Sequence, residues 1–393
     1  MNLRPLCFSL FLGLSLALPL EARQDTPPAL TSESVVEAIQ DRCRAALEKR
    51  IDFERVPGVS LALILPDGSE VTVAIGVADL ENEIDMTPEM HLLSGSIGKT
   101  YFSAAALHLA QNGALDLDAA VKSYFEGVEW YPRIPNAETI TVRQLMRHQT
   151  GIPRYVFAQE FWDEVLGKPD KVWTPKERLR FVFDAEPLFE AGKGWEYADT
   201  NYILLGAIIE KLAKTSAYEY VSKHLLHPHG LTDTLPSNHR DVPGMAQGYV
   251  RMELNVGLPE RVLKDGRFVF NPQFEWCGGG FANTPLDLAR WARVLYSGKA
   301  FEGDYLSELT GDAETLGARV KYGLGVFITE TDLGLLLGHD GFMPGYLSSM
   351  GFFTEPRIAA ALQANADDGR AMGGPMPRLL QECVAIAMEE LGR

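Results

Sequence analysis

A serine and a lysine three residues apart, Ser96 and Lys99, form the most chemically suggestive pair in the chain. The pattern predicts that a loop becomes a helix here, and residues i and i+3 share a helix face, so Lys99 can reach the Ser96 hydroxyl. That hydroxyl becomes a nucleophile when a base removes its proton. A lysine accepts the proton only if burial or positive charge lowers its pKa from about 10.4. Ser-x-x-Lys occurs once, but chance gives on the order of one match in such a chain.

A second motif, Tyr197-Ala198-Asp199, precedes a helix that the apolar spacing predicts from Asn201 to Ala213. A phenol can pass a proton between nucleophile and leaving group when a neighbouring cation favours the phenolate. The structural alternative is a helix N-cap at Asp199 or Thr200 with a packing tyrosine.

A third motif, His339-Asp340-Gly341, follows the apolar run 335–337, on or just past a predicted strand. Gly341 would let a substrate backbone approach closely, and the next residue, Phe342, could donate its N–H to an oxyanion. The structural alternative is a turn at the end of a strand.

The three motifs together resemble the class C β-lactamase and D-alanyl-D-alanine carboxypeptidase family, including its esterase and D-aminopeptidase relatives. The resemblance covers about residues 33–390 and extends to the stretches ITVRQLMRHQTGIPRY, EYADTNYILLGAIIEKL, GGGFANTPLDLARWARVL and GHDGFMPGYLSSMGFF. It implies Ser96 as acylated nucleophile, Lys99 as its proton acceptor and Tyr197 as acid/base. It also implies that His339 is a fourth catalytic residue, at the position where family members carry Lys or His. The N–H groups of Ser96 and Phe342 would form the oxyanion hole.

Two departures from the family pattern bear on the substrate. Asp199 replaces the usual Asn of the second motif, and His339-Asp340-Gly341 replaces the Lys-Thr-Gly of true β-lactamases. A neutral His339 and acids at 199 and 340 hold a carboxylate substrate less well than Lys and Thr do. With Asp199, Asp340 and Gly341 as substrate-binding residues, we expect a small neutral ester or amide, or a substrate with a free amine. The alternatives are D-Ala-D-Ala carboxypeptidase or β-lactamase activity, and a non-catalytic protein that binds peptidoglycan fragments.

The elements around these motifs predict an α+β fold. A helix to about Arg50 and a hairpin of strands over 58–65 and 70–77 open the chain, and a further helix is predicted over 285–296. Strands return after about 318, and a helix over 377–391 closes the chain. The late strands are predicted over 322–329, 333–338, 346–353 and 358–364. The simplest packing is one antiparallel sheet flanked by the terminal helices, with an inserted, mainly helical domain. The resemblance makes this a β-lactamase/transpeptidase-like domain over 33–393. Its sheet subdomain covers about 33–95 and 318–393, and its helical subdomain about 96–317.

Composition limits the other possibilities. The 393 residues carry a net charge of −17, which argues against nucleic acid as a partner. Arg4, an apolar run from Leu6 to Leu20 and small residues near position 22 predict a cleavable signal peptide over 1–22 and a secreted or periplasmic protein. No other segment is long and apolar enough for a membrane span. We infer no obligate protein partner.

The remaining residues with reactive side chains are histidines and cysteines. His224, His227 and His229 lack a carboxylate at ligand spacing, so we interpret them as a helix end and predict neither metal nor cofactor. Cys277 is predicted to be buried. Cys43 and Cys383 fall on the first and last helices, which lie side by side in the resembled family. They are either a disulfide that ties the chain ends or two buried thiols, and the second is favoured.

Overall fold

The computed structural model describes residues 30–252 and 256–393. The predicted signal peptide, residues 1–22, lies outside the described residues. Within these ranges, no helix combines the length and apolar character that crossing a bilayer requires.

The strands number fourteen in the described ranges. They are β1 (Gly58–Ile64), β2 (Glu70–Asp79), β3 (Ile84–Asp85), β4 (Leu92–Leu93), β5 (Thr234–Pro236), β6 (Leu263–Lys264), β7 (Arg267–Phe268), β8 (Phe281–Asn283), β9 (Glu314–Thr315), β10 (Val320–Tyr322), β11 (Phe327–Thr331), β12 (Gly334–Met343), β13 (Tyr346–Phe353) and β14 (Ile358–Ala364).

The α-helices of the same ranges number ten. They are α1 (Glu33–Arg50), α2 (Lys99–Gln111), α3 (Val142–Met146), α4 (Gln159–Gly167), α5 (Pro175–Leu179), α6 (Asp199–Ala213), α7 (Ala217–Val221), α8 (Pro285–Tyr296), α9 (Tyr305–Thr310) and α10 (Met376–Glu390).

Both ends of the chain build one antiparallel sheet, as predicted. Its order is β3-β2-β1-β14-β13-β12-β11-β10-β9, so the N-terminal hairpin joins the C-terminal strands where β1 pairs with β14. A smaller sheet, β4-β8-β5, lies beside it. The β-lactamase/transpeptidase-like fold expected from the sequence is confirmed.

Two apolar layers cover the sheet. Helices α1 and α10 pack on each other and, through β2, β13 and β14, on one face. On the other face α8 packs on β1, β13 and β14. The prediction placed residues 285–296 in the helical subdomain. In the structure these residues form α8, which packs on the sheet and belongs with it. The spacing of apolar residues predicts that one face of this helix is buried, but it does not show which part of the protein that face contacts.

The strand with the third motif is longer than its apolar run indicated. The prediction ended near residue 338, whereas β12 continues to Met343 and pairs with β13 from Leu336 to Met343. His339 to Phe342 therefore sit on a rigid strand in mid-sheet. The strand predicted over 322–329 is interrupted, because Gly325 has a φ of +82°, and it forms β10 and β11 instead.

Cys43 of α1 and Cys383 of α10 are neighbours, both fully buried, and both are free thiols, as is the buried Cys277. The Cys43 sulfur lies 3.7 Å from the Cys383 carbonyl oxygen. Of the two alternatives above, the structure contains the buried thiols.

We predict that iodoacetamide leaves Cys43 and Cys383 unmodified in the folded protein, because burial keeps the reagent out. The hydrogen bond with Cys43, together with burial, also raises the pKa of the Cys383 thiol. Unfolding without reductant should then expose both to full alkylation. The measurement is peptide mapping by mass spectrometry under non-reducing conditions. A Cys43–Cys383 linked peptide in protein purified from an oxidising compartment would contradict it.

Candidate active site

Ser96 lies on a short 3-10 helix, Gly95–Gly98, that leads directly into α2. This turn packs against β12, because Gly341 has no side chain: a Cβ there would overlap the Ser94 carbonyl oxygen. The glycine of the third motif was expected to admit a substrate backbone. Its space is instead taken up by the chain that carries the nucleophile.

Lys99 begins α2 and is completely buried. Its Nζ donates to Ser96 Oγ at 2.9 Å, to Asp199 Oδ1 at 2.7 Å and to the Gly278 carbonyl oxygen at 2.5 Å. Three acceptors satisfy all three protons of an ammonium group. The predicted contact between Lys99 and Ser96 is present.

Asp199 occupies the first turn of α6, where it faces two cations. Its Oδ2 accepts from Arg154 Nε at 3.0 Å and Nη2 at 2.6 Å, while Oδ1 binds Lys99. Asp199 was expected to face the substrate and add a free negative charge. It lies buried behind Lys99 with both oxygens occupied, so the expected repulsion of a carboxylate does not arise from it.

The charges fix the protonation states of this pair. Burial alone would lower the pKa of Lys99, but the neighbouring carboxylate of Asp199 raises it above its ordinary value. Burial would raise the pKa of Asp199, but the charges of Lys99 and Arg154 lower it below its usual range. The resting pair is an ammonium and a carboxylate.

Tyr197 stands over this pair on the loop before α6. Lys99 Nζ is 4.8 Å from the centre of its ring. The hydroxyl is buried near Lys99 and Ser96 and makes no hydrogen bond of ordinary geometry with the described residues. Burial raises the pKa of Tyr197 and Lys99 only partly offsets this. A buried hydroxyl without a partner costs free energy, which a substrate atom at this point would recover.

His339 joins the same group from β12, with its ring centre 6.1 Å from that of Tyr197. Both ring nitrogens have protein partners, Tyr322 Oη at 3.1 Å and the Asp340 carbonyl oxygen at 2.6 Å. Burial, reinforced by the charge of Lys99, lowers the pKa of His339 to about 3. His339 is therefore a neutral residue in the wall of the site.

Asp340 points to the other face of β12. Its carboxylate accepts from Ser349 Oγ at 2.6 Å, and its side chain is exposed. The structure does not bring it into the group around Ser96. Its predicted contact with substrate stays a prediction.

Phe342 places its main chain against the turn that carries Ser96. A Cβ on Gly95 would come within 2.7 Å of the Phe342 nitrogen, and one on Gly341 would lie 3.4 Å from the Ser96 nitrogen. The two N–H groups expected to bind an oxyanion thus belong to segments in close contact.

A buried carboxyl that the sequence analysis missed, Glu275, lies in the loop that supplies the Gly278 carbonyl. Its Oε1 and the Gly95 carbonyl oxygen both lie 2.6 Å from where a Cβ on Gly279 would be. Burial raises the pKa of Glu275 to about 8, although Lys99 opposes this, so its acid form predominates at pH 7.

Another residue that the sequence analysis missed, Arg178, holds this loop in place. Its guanidinium donates to the carbonyl oxygens of Trp173, Gln273 and Phe274. A buried cation that binds three carbonyls fixes the segment that leads to Glu275.

The sequence interpretation assigned His224, His227 and His229 to the end of a helix rather than to a metal site. His224 stacks near His108, with ring centres 5.0 Å apart, and His229 faces the Ala300 carbonyl oxygen at 2.9 Å. In the described ranges no group of three or more His, Cys, Asp or Glu side chains is arranged to hold a metal ion.

Comparisons with known proteins agree on one family. The family model described as Beta-lactamase matches residues 44–382. Penicillin-binding protein 4* of Bacillus subtilis is 24% identical over 75% of this chain and 65% of its own length. The chain thus spans about two thirds of that relative.

Solved structures are similar over nearly the whole chain. D-amino acid amidase from Ochrobactrum anthropi SV3, complexed with D-phenylalanine, is 25% identical, with a TM-score of 0.73 over 92% of this chain and 99% of its own. A D-stereospecific amidohydrolase from Streptomyces has the same identity and TM-score over 85% of this chain and 97% of its own.

We predict that Gly98→Ala sharply lowers the reactivity of Ser96 towards a fluorophosphonate probe. A Cβ at residue 98 would overlap the Gly279 carbonyl oxygen, so the segment that carries the Gly278 carbonyl bound to Lys99 must shift. A displacement of about 1 Å costs on the order of 100-fold in rate.

The matched control is Gly167→Ala at the end of α4, where an added Cβ meets no atom within 4 Å. Labelling rates are measured alongside thermal unfolding. Equal labelling of the two variants would show that this close approach does not position the site.

Proposed function

The chain belongs to the Beta-lactamase family and is a serine hydrolase of that family, and from this premise we propose that Ser96 forms an acyl-enzyme with a small neutral ester or amide. The observation that carries the proposal is the buried contact of Lys99 Nζ with Ser96 Oγ at 2.9 Å, beside a Tyr197 hydroxyl that lacks a partner. A nucleophile, a proton acceptor and a proton donor converge on one point.

The proposed reaction has two halves. Ser96 Oγ attacks the substrate carbonyl carbon, its proton passes to the neutral form of Lys99, and the oxyanion accepts from the N–H groups of Ser96 and Phe342. The leaving group departs with a proton supplied through Tyr197. Water then attacks the acyl carbon, its proton passes through the same groups to Ser96 Oγ, and the bond between Oγ and the acyl carbon breaks to release the acid.

The resting ion pair predicts alkaline activity. Only the neutral amine accepts a proton, and Asp199 raises the pKa of Lys99. The reactive fraction therefore increases with pH.

A neutral substrate is favoured by the third motif. A Lys in place of His339 would supply a cation for a substrate carboxylate, whereas His339 is buried, neutral and hydrogen-bonded at both nitrogens. Amides are supported by the likeness to proteins described as D-amino acid amidase and D-stereospecific amidohydrolase.

Penicillin-binding relatives support a second candidate, carboxypeptidase or β-lactamase activity. A p-nitrophenyl ester, a D-amino-acid amide and nitrocefin, assayed in parallel, discriminate the two. Turnover of nitrocefin alone would favour the second candidate.

We also propose that the protein is exported. The support is the sequence of residues 1–22 alone. Intact-mass measurement of the protein recovered outside the cytoplasm tests it: an uncleaved N-terminus would contradict cleavage.

Ser96→Ala should abolish acyl-enzyme formation and leave the fold intact, because the change removes a single oxygen atom from a partly buried side chain. Ser123→Ala, at an exposed serine, is the control. The measurement is the mass gain of intact protein after a fluorophosphonate probe, with ester turnover in parallel. If Ser96→Ala keeps more than about a tenth of wild-type turnover, the nucleophile is another residue, and loss of labelling in both variants would indicate misfolding.

A further inference from the structure

A continuous row of buried polar groups runs behind the site, from the second motif to the third. The Ala198 N–H donates to His148 Nδ1 at 3.2 Å, and His148 Nε2 lies 3.2 Å from Tyr322 Oη. Tyr322 Oη lies 3.1 Å from His339 Nε2, and His339 Nδ1 lies 2.6 Å from the Asp340 carbonyl oxygen. None of the three motifs includes His148 or Tyr322.

The two ends of this row fix the direction of every hydrogen bond within it. A backbone N–H only donates, so His148 Nδ1 is an acceptor and its proton sits on Nε2. A carbonyl only accepts, so His339 Nδ1 carries the proton and Nε2 is an acceptor. Tyr322 therefore accepts from His148 and donates to His339.

Neighbouring side chains agree with this direction. Asn201 Nδ2 also faces His148 Nδ1, at 3.1 Å, while its Oδ1 accepts from Thr150 Oγ1 at 2.6 Å. The amide is thus oriented as a donor to the same unprotonated nitrogen.

We propose that His148 and Tyr322 are positioning residues that hold His339 as a neutral imidazole with its proton on Nδ1, so that the third motif offers the substrate neither a cation nor an N–H donor. The row also ties β12 to the loop of Tyr197. The tautomers of His148 and His339 follow from hydrogen bonding alone and do not depend on the proposed reaction. The consequence for the choice of substrate rests on the proposed function.

An added proton would break the row. If His339 were an imidazolium, its Nε2–H would face Tyr322 Oη, which already accepts from His148, and the Tyr322 hydroxyl hydrogen would have no acceptor left within the row. Such a mismatch in a buried row disfavours the protonated form of His339.

The surrounding charges also favour the neutral form of both imidazoles. Lys99, Arg154 and Asp199 face the two imidazoles, with Tyr197 and Tyr202 beside them. Burial, followed by the charge of Lys99, lowers the pKa of both His148 and His339, and Asp199 opposes this only in part.

The test is nitrogen-15 NMR of histidine-labelled protein, since the chain has only eight histidines. His339→Gln and His148→Gln serve to assign the resonances. We expect the Nδ1–H tautomer for His339, the Nε2–H tautomer for His148, and no titration of either between pH 8 and pH 5. An Nε2–H tautomer of His339, or a midpoint near its ordinary value of about 6.5, would overturn the proposal.

Tyr322→Phe gives a second, independent readout. Removing the hydroxyl takes away the donor to the neutral form of His339, so its titration midpoint should increase by about one pH unit. As the pH is lowered, the ratio of kcat/KM for nitrocefin to that for p-nitrophenyl butyrate should then begin to increase about one pH unit higher than it does in the wild type. Tyr124→Phe, at a partly exposed tyrosine bonded to Asp116, is the control.

The outcomes separate the two proposals. If neither substrate is turned over by the wild type, the proposed function fails while the NMR result still decides the tautomers. If Tyr322→Phe leaves the His339 titration unchanged, Tyr322 is not a positioning residue. If that variant does not fold, the wild-type tautomers alone confirm or overturn the row.

Discussion

The buried ion pair of Lys99 and Asp199 is the contact on which the rest of the site depends. Removing one partner of a buried pair costs about 3–5 kcal/mol, because the other charge is left uncompensated. This pair is satisfied on every side: Arg154 holds the second carboxylate oxygen, and Ser96 and the Gly278 carbonyl accept from the ammonium. The nucleophile is thus oriented by a group whose own position is fixed by charge.

Three parts of the fold must meet for that pair to form. Helix α2 brings Lys99, helix α6 brings Asp199, and the glycine loop after Trp276 brings its carbonyl close because Gly98 leaves room. Strand β12 closes the group from the sheet side. The large sheet, joined from both chain ends and covered on two faces, is the rigid support that holds β12 against the turn of Ser96.

Much of this arrangement was predictable from the sequence, because the signals are local. The period of the apolar residues located β1, β13, β14 and α8 to within about a residue, and the motifs identified Ser96, Lys99, Tyr197 and His339. Contacts between distant segments were not predictable. Arg154, Glu275 and Tyr322 belong to no motif, and only the folded chain shows that they lie beside the site.

Two expectations changed for physical reasons. Asp199 was expected to face the substrate, but a carboxylate beside two buried cations is held by them. His339 was expected to act at the substrate, yet its nitrogens are used within the protein. In both cases the sequence identified the residue correctly. Its role is determined by contacts with residues that are distant in the sequence.

The most direct test of this account is the pH dependence of Ser96 acylation in Asp199→Asn, which restores the asparagine usual in the second motif. Without the carboxylate, burial lowers the pKa of Lys99 against less opposition, so its neutral form is available at lower pH. We predict that the midpoint of the rising limb moves down by at least about one pH unit, a tenfold change in the protonation equilibrium. Asp184→Asn, at an exposed ion pair with Arg133, should leave it in place. An unmoved midpoint in Asp199→Asn would contradict the claim that this ion pair sets the protonation state of the nucleophilic site.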